Sequence, residues 1–427
     1  VNLIADGTVN NTELQYLSGV TSSIQTQLDN LAALSTSASG ASSGLHINHW
    51  LQVGDDILGQ FSNKQVWTTL MNNDGTIVLL ASPFASAVGN NGDHGGVSVY
   101  KLSNNVWTQM GANILGENAG DQMTHTNSVA MSADGTIVAV GTEKYDTDVT
   151  NAGRARVFQY SEASDSWTQL GADLVGDSNS PGLGLSMSLN DDGTILALGK
   201  TGTNSRGGVH IFQYQNGAWT EMGAGILTDT HGERLGYQIA LNSAGTRIVV
   251  AAGQIYGTKY GTISVYEYQS NSWTQLGATI DGEAGRDYFG SGLAINSDGT
   301  IIAGCSKGVY HDEYVKVFQY NNDILDWELM GPRLEVATRS AVVSGRLSLS
   351  ADGKILAVGS SSNDSSNGQV RVFYYQNDIW HQIGAEFNGE SNDEFGMSVD
   401  LNSDGTRLVI VERNNTGRAV VYQLYGV

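Results

Sequence analysis

The turn Asp-Gly-Thr, or a near copy of it, recurs seven times along this chain. The copies are Asp74-Gly75-Thr76, Asp134-Gly135-Thr136, Asp192-Gly193-Thr194, Ala244-Gly245-Thr246, Asp298-Gly299-Thr300, Asp352-Gly353-Lys354 and Asp404-Gly405-Thr406. They lie 52 to 60 residues apart, a period that belongs to stacked repeats such as propellers or solenoids. Asp-Gly between apolar runs is also the preferred two-residue hairpin turn, because both central residues of that turn need positive φ. Each copy is therefore expected to join two strands.

The flanking residues extend the repeat. After each turn comes an apolar run such as "TIVAVG" at 136–141 or "KILAVG" at 354–359, then a loop of variable length. A third strand follows, as in "GGVSVYKL" at 95 and "GQVRVFYY" at 368, opening on glycine except at 313, where Glu313 stands instead. Fourth comes Trp-x-x-x-Gly, from Trp107 to Gly111 and on through Trp167, Trp219, Trp273, Trp327 and Trp380. Each unit reads as a four-stranded antiparallel meander. The seventh unit ends at Val427 without a tryptophan, but Trp50 and Gly54 show the same spacing near the other end. An all-β, seven-bladed β-propeller follows, in which a strand at 49–54 pairs with the C-terminal blade and closes the ring.

Composition narrows the function classes. Asp and Glu outnumber Lys and Arg by 43 to 21, a formal charge of -22, which argues against nucleic acid and anionic lipid as partners. No stretch is apolar for long enough to cross a bilayer as a helix, and no secretory leader pattern is present. The single Cys305 allows neither an intrachain disulfide nor a cysteine zinc cluster, and its strand "IIAGC" suggests a buried thiol.

The whole unit, as in "SWTQLGATIDGEAGRDYFGSGLAINSDGTIIAG" at 272–304, resembles the FG-GAP-like, integrin-type propeller repeats of marine bacteria, algae and large algal viruses. The Phe-Gly pair of that family stands at Phe289-Gly290 and Phe395-Gly396, with looser forms at Leu183-Gly184 and Leu235-Gly236, and the unit at 334–346 has lost it. The first 45 residues differ. "DGTVNNTELQYLSGVTSSIQTQLDNL" resembles a segment of phage and algal-virus fibre proteins, which form trimeric shafts. Ser22 with Gln25 reads as a capping box, and Ile24, Leu28 and Leu31 form one apolar stripe on a short helix. The expected layout is a helical oligomerisation stalk over 1–34, a Ser/Gly/Ala-rich linker over 35–45 with a reach of about 17 Å, and the propeller over 46–427. Self-association through 13–34, as a homotrimer, is the expected partnership.

Strand direction places the long, dissimilar loops on one face and the Asp-Gly hairpins on the other. Variable loops on a rigid ring are where recognition normally sits. Tyr145, Tyr256, Tyr260, Tyr288 and Tyr310 fall in those loops and could stack on sugar rings, or else pack between blades. The same face carries Asp281, Glu283 and Asp287 in "DGEAGRD"; integrin-like propellers bind calcium in such loops, but this spacing matches only loosely, and solvated acidic loops are the rival reading. No other cofactor is suggested. His46 and His49 in "HINHW" are a metal pair only if they meet across an oligomer. No nucleophile elbow, His-Glu-x-x-His or phosphate loop occurs. The expected function is therefore a non-enzymatic binding or structural head, extracellular or on a virion surface, recognising a host-surface glycan or protein. The alternatives are a calcium-stabilised matrix or adhesion protein and a polysaccharide hydrolase or lyase.

Overall fold

The computed structural model describes residues 49–425, apart from 60–64, 86–92, 119–120, 125–126, 149–150, 177–181, 201–206, 229–232, 254–259, 285–286, 308–312, 338–345, 362–366, 391 and 414–416. Every regular element among the described residues is a strand, and they assemble into seven antiparallel sheets. We number the blades by their inner strands, which begin at Thr68, Val129, Met187, Leu235, Gly292, Arg346 and Phe395. Blade 1 is representative: Thr68–Met71, Ile77–Ser82, Gly96–Ser103 and Val106–Gln109 form the meander, and Ile114–Leu115 adds a short fifth strand beside the third.

The seven-bladed ring of four-stranded antiparallel meanders is as expected; the helical element is not, and the turn type and an added short strand depart from the sequence reading. No helix occurs among the described residues, so the fold described is all-β with no helical element; the stalk at 1–34, with its capping box and its 13–34 self-association stripe, lies outside the described residues, as does the linker at 35–45. The blades carry the short fifth strand that the repeat pattern did not suggest. The Asp-Gly turn is also not the two-residue type. Only the glycine is left-handed, as at Gly75 (φ 74), and its N–H donates to Asn72 O at 2.9 Å. The connection is four residues long, and Asn72 Oδ1 accepts from both Thr76 N (2.9 Å) and Ile77 N (2.8 Å). Asp74 contributes by accepting from the Thr76 N–H and hydroxyl, an Asx-type lock that needs no positive φ at the aspartate.

These turns close the ring at its centre. The residue before each Asp-Gly pair, or its equivalent, donates its backbone N–H to the same position one blade on. Asn73 donates to Ala133, Ala133 to Asp191, Asp191 to Ser243, Ser243 to Ser297, Ser297 to Ala351, Ala351 to Ser403, and Ser403 back to Asn73, at 2.7 to 3.1 Å. Seven bonds make a closed circle. Each Asp-Gly glycine also lies against the preceding blade: a Cβ on Gly135 would sit 2.8 Å from Ile77, and one on Gly75 would sit 2.5 Å from Arg407 across the seam.

Tryptophan does the same work at the rim. The indoles of Trp107, Trp167, Trp219, Trp273, Trp327 and Trp380 each pack on the Trp-x-x-x-Gly glycine of the preceding blade, so that a Cβ on Gly54 would meet Trp107 at 2.7 Å and one on Gly277 would meet Trp327 at 2.7 Å. The indole N–H then donates to the carbonyl just before that glycine. Trp107, Trp167, Trp219, Trp273, Trp327 and Trp380 reach Val53, Met110, Leu170, Met222, Leu276 and Met330 at 2.8 to 3.1 Å. The spacing in the sequence is thus an inter-blade staple.

The first described strand, His49–Gln52, pairs antiparallel with the C-terminal strand, placing Trp50 opposite Leu424. The chain then bends at Gly54 (φ 70) and resumes as Ile57–Leu58 on the same partner. Trp50 packs near Phe387 and the core between blades 6 and 7, but its buried Nε1 has no hydrogen-bond partner among the described residues. The core is distributed around the ring. Seven apolar clusters each join two neighbouring blades, including the seam, where Val78 and Leu80 of blade 1 meet Val409 and Val411 of blade 7. Second strands such as Ile77–Ser82 are buried along their whole length because both faces meet a neighbour.

Candidate functional site: the loop face

Loops leaving the fifth strand cross to the next blade, and their entry is set by glycine. Gly95, Gly153, Gly207 and Gly368, which open third strands, bridge to Met123, Leu183, Leu235 and Phe395 of the crossing loops. A Cβ on Gly368 would lie 1.9 Å from Phe395 O, so only glycine admits the crossing. After Leu183, Leu235, Phe289 and Phe395 comes a second left-handed glycine, with φ between 79 and 91 at Gly184, Gly236, Gly290 and Gly396, whereas Met123 is followed by Thr124 at φ 68. Glu313 replaces the first glycine in blade 5, the unit whose following loop has lost the Phe-Gly pattern. There Glu313 is fully buried and pairs with Ala337 through a register shift.

The acidic residues of these loops have internal partners. Asp121 accepts from Asn118 N at 3.1 Å and Asp393 from Glu390 N at 2.9 Å. Asp287, 1% exposed, accepts through Oδ2 from Glu283 N (2.7 Å), Ala284 N and the Tyr314 hydroxyl, while its Oδ1 has no partner among the described residues. Burial, reinforced by Asp287, pushes the Tyr314 phenol well above its ordinary range. Glu283 pairs with Lys316 at 2.7 Å and with Arg333. Burial alone would raise its pKa, but the Lys316 hydrogen bond and the two cations hold it below the usual range. Asp281 is exposed on the short fifth strand of blade 4. The three candidate calcium ligands therefore have separate roles, and no group of three His, Cys, Asp or Glu among the described residues is placed to hold a metal.

Glu117 occupies the equivalent loop of blade 1, three blades from that of Glu283, and bridges two arginines, Arg154 at 2.8 Å and Arg156 at 2.8 Å. The Arg154 hydrogen bond, with the two positive charges, holds the Glu117 carboxyl low despite partial burial. Arg154 also reaches Asp173 at 3.2 Å, and the Tyr145 ring lies over its guanidinium at 3.9 Å. Tyr145 is thus committed on one face to a cation. Tyr260 is 45% exposed, and Tyr288 is half-buried with left-handed backbone (φ 50) just before Phe289. Tyr256, Tyr310 and His46 lie outside the described residues.

The structure adds a cluster that the sequence reading missed. Trp67 stands just before the inner strand of blade 1, with Phe84 edge-on at 5.4 Å and the Arg413 guanidinium over its ring at 4.7 Å; Arg413 pairs with Glu394 at 2.8 Å. The available signal was arithmetic. The chain has eight tryptophans, seven in Trp-x-x-x-Gly, and Trp67 is the one left over.

No family model matches the sequence, and no curated protein does. Among solved structures, the β-propeller domain of Cps50 (Swd1) from Myceliophteria thermophila superposes with a TM-score of 0.59 at 9% identity, covering 87% of this chain and 99% of that one. The periplasmic gluconolactonase PpgL of Pseudomonas aeruginosa gives 0.52 at 16% identity over 76% and 85%, and a protein from Lactobacillus plantarum gives 0.55 at 12% over 80% and 89%. At these identities the likeness concerns the propeller fold alone.

Proposed function

We propose that this protein is a non-enzymatic binding head, displayed on a virion fibre or a similar surface appendage, that recognises a surface glycan or protein through its loop face. The observation carrying this reading is the contrast between the two faces. The hairpin face is uniform, with near-identical turns stitched into one circle of backbone bonds. The loop face is built on equally rigid strands but bears loops of differing length and chemistry, among them Trp67, Phe84, Tyr260 and Tyr288. A fixed frame with diversified loops is the arrangement of a recognition surface. The fibre-like character of the N-terminal sequence supplies the display half of the proposal.

A glycan array and a panel of surface proteins, probed with the full chain, test it. Saturable binding to one ligand class, reduced at least tenfold in Tyr260→Ala or Trp67→Ala with the melting temperature of Tyr260→Ala unchanged, is the expected result. Turnover of a polysaccharide, or assembly into a particle with no binding to any surface ligand, would replace the reading.

A further inference from the structure

Because the fold repeats, each blade is a control for the others, and the outer edge of blade 5 breaks two of their rules. The residue before the outer strand is left-handed in every blade where it is described. It is Asn105, Asp165, Gly217, Asn271 and Asp378 in five of them, residue types that tolerate that backbone. Blade 5 places Leu325 there, at φ 56. At the other end of the outer strand stand Gln52, Gln109, Gln169, Glu221, Gln275 and Gln382, and each of the five glutamines donates to the carbonyl of the glycine two residues on. In blade 5 this position is Leu329.

Both leucines face solvent, as does the neighbouring turn residue: Ile324 is 57% exposed, Leu325 66% and Leu329 49%. A leucine at this left-handed position cannot make the inter-blade bond that Asp165 makes in blade 2 with Gly111 N; in blade 5 the next residue, Asp326, reaches the neighbouring blade instead, accepting from Ala278 N at 2.8 Å. Strain at an exposed aliphatic residue points to function. The strand between the two leucines, Asp326–Leu329, is the last in its sheet, so its outward N–H and C=O groups lack a strand partner.

We propose that this edge is a docking site for a β-strand of another protein, one whose aliphatic side chains alternate with Lys or Arg. Residues 317–332 include Asp323, Asp326 and Glu328 and no Lys or Arg, and the flanking Lys316 and Arg333 are paired with Glu283 and Glu335, so the segment carrying the leucines is itself acidic. A basic strand would meet complementary charge, add main-chain hydrogen bonds to the open edge and cover the leucines with alternate side chains. A second copy of this chain, itself at -22, meets like charge instead. The contact lies on the outer rim, so docking leaves the loop face open.

The test titrates the full chain with labelled peptide (Val-Lys)4, using (Gly-Lys)4 as the charge control and (Val-Glu)4 as the aliphatic control. The expected result is saturable binding of (Val-Lys)4 alone, slowed hydrogen exchange at amides 326–329, and at least a tenfold loss in Leu325→Asn/Leu329→Gln. That variant installs the residues of the other blades and should melt no lower than the parent; if it does, Leu329→Gln alone serves. Absence of binding, equal binding of (Gly-Lys)4, or undiminished affinity in the variants overturns the proposal. So does dimerisation of the parent that the variant abolishes, which would make a second copy the occupant.

Discussion

Replacing one rim tryptophan by phenylalanine should cost different amounts at different places on the ring, and the difference can be worked out beforehand. In Trp327→Phe the apolar contact with Gly277 is largely kept, but the 2.9 Å bond from Nε1 to Leu276 O is lost. A hydrogen bond of this kind contributes about 1 kcal/mol net, and its loss leaves the Leu276 carbonyl without that donor. The smaller ring adds a packing loss of about 1 to 2 kcal/mol. The sum is about 2 to 3 kcal/mol. Trp50→Phe, at a half-buried site, suffers no larger a packing loss and has no bond to lose among the described residues, where the buried Trp50 Nε1 finds no partner. Removing an unpaired buried donor offsets part of the packing term, leaving about 0 to 1.5 kcal/mol. Urea unfolding of both variants and the parent, read by far-UV circular dichroism with m held common, gives the two costs directly. The staple account requires Trp327→Phe to be the more destabilising by at least about 1 kcal/mol. Equal costs, or a larger cost at Trp50, would refute it.

Gly368→Ala should destabilise by about 2 to 4 kcal/mol, since it combines a left-handed backbone (φ 81) with a Cβ 1.9 Å from Phe395 O; a chemical melt indistinguishable from the parent would show that the loop crossing is adjustable. The turn carboxylates Asp74, Asp134, Asp192, Asp298 and Asp404 lie below their ordinary pKa, because hydrogen bonds from Thr and neighbouring polar groups outweigh the opposing effect of burial. A carboxylate held low stabilises the fold above its unfolded pKa of about 4 and loses that contribution as pH falls through the folded value. Stability measured in urea should therefore drop between about pH 4 and pH 2, and Asp74→Asn/Asp298→Asn/Asp404→Asn should flatten that drop; an unaltered acid limb would remove these groups from the explanation. Cys305 is fully buried, and burial pushes its thiol up to about 12. It should resist a disulfide reagent in the native chain and react at once in denaturant, whereas fast native labelling would contradict its placement.

The ring was readable from the sequence because its constraints repeat. A glycine needed at one blade contact is needed at seven, so Gly75 and its equivalents, and the Trp-x-x-x-Gly pairs, stand out as spacing. The turn type was misjudged because Asp-Gly alone does not reveal that Asn72 extends the connection to four residues. The fifth strand was invisible, two residues being too short to show alternation. Site residues were less legible for a different reason. Asp287 and Glu283 look like oxygen ligands in one dimension, but the partners that claim them, Tyr314, Lys316 and Arg333, are 27 to 50 residues away. Trp67, Leu325 and Leu329 were open to detection as exceptions to the repeat, and a reading intent on what recurs passes over what does not.

The circle of backbone bonds from Asn73 through Ser403 and back has one further consequence. Every joint in it is chemically equivalent, so the polypeptide resembles a belt whose buckle happens to sit at Trp50. Cutting the belt inside any long loop and splicing the native ends should yield another wearable belt, with the new buckle as sound as the old. Evolution could likewise have shifted the termini from blade to blade, or added and removed whole links, without asking any residue at the hub to learn a new contact.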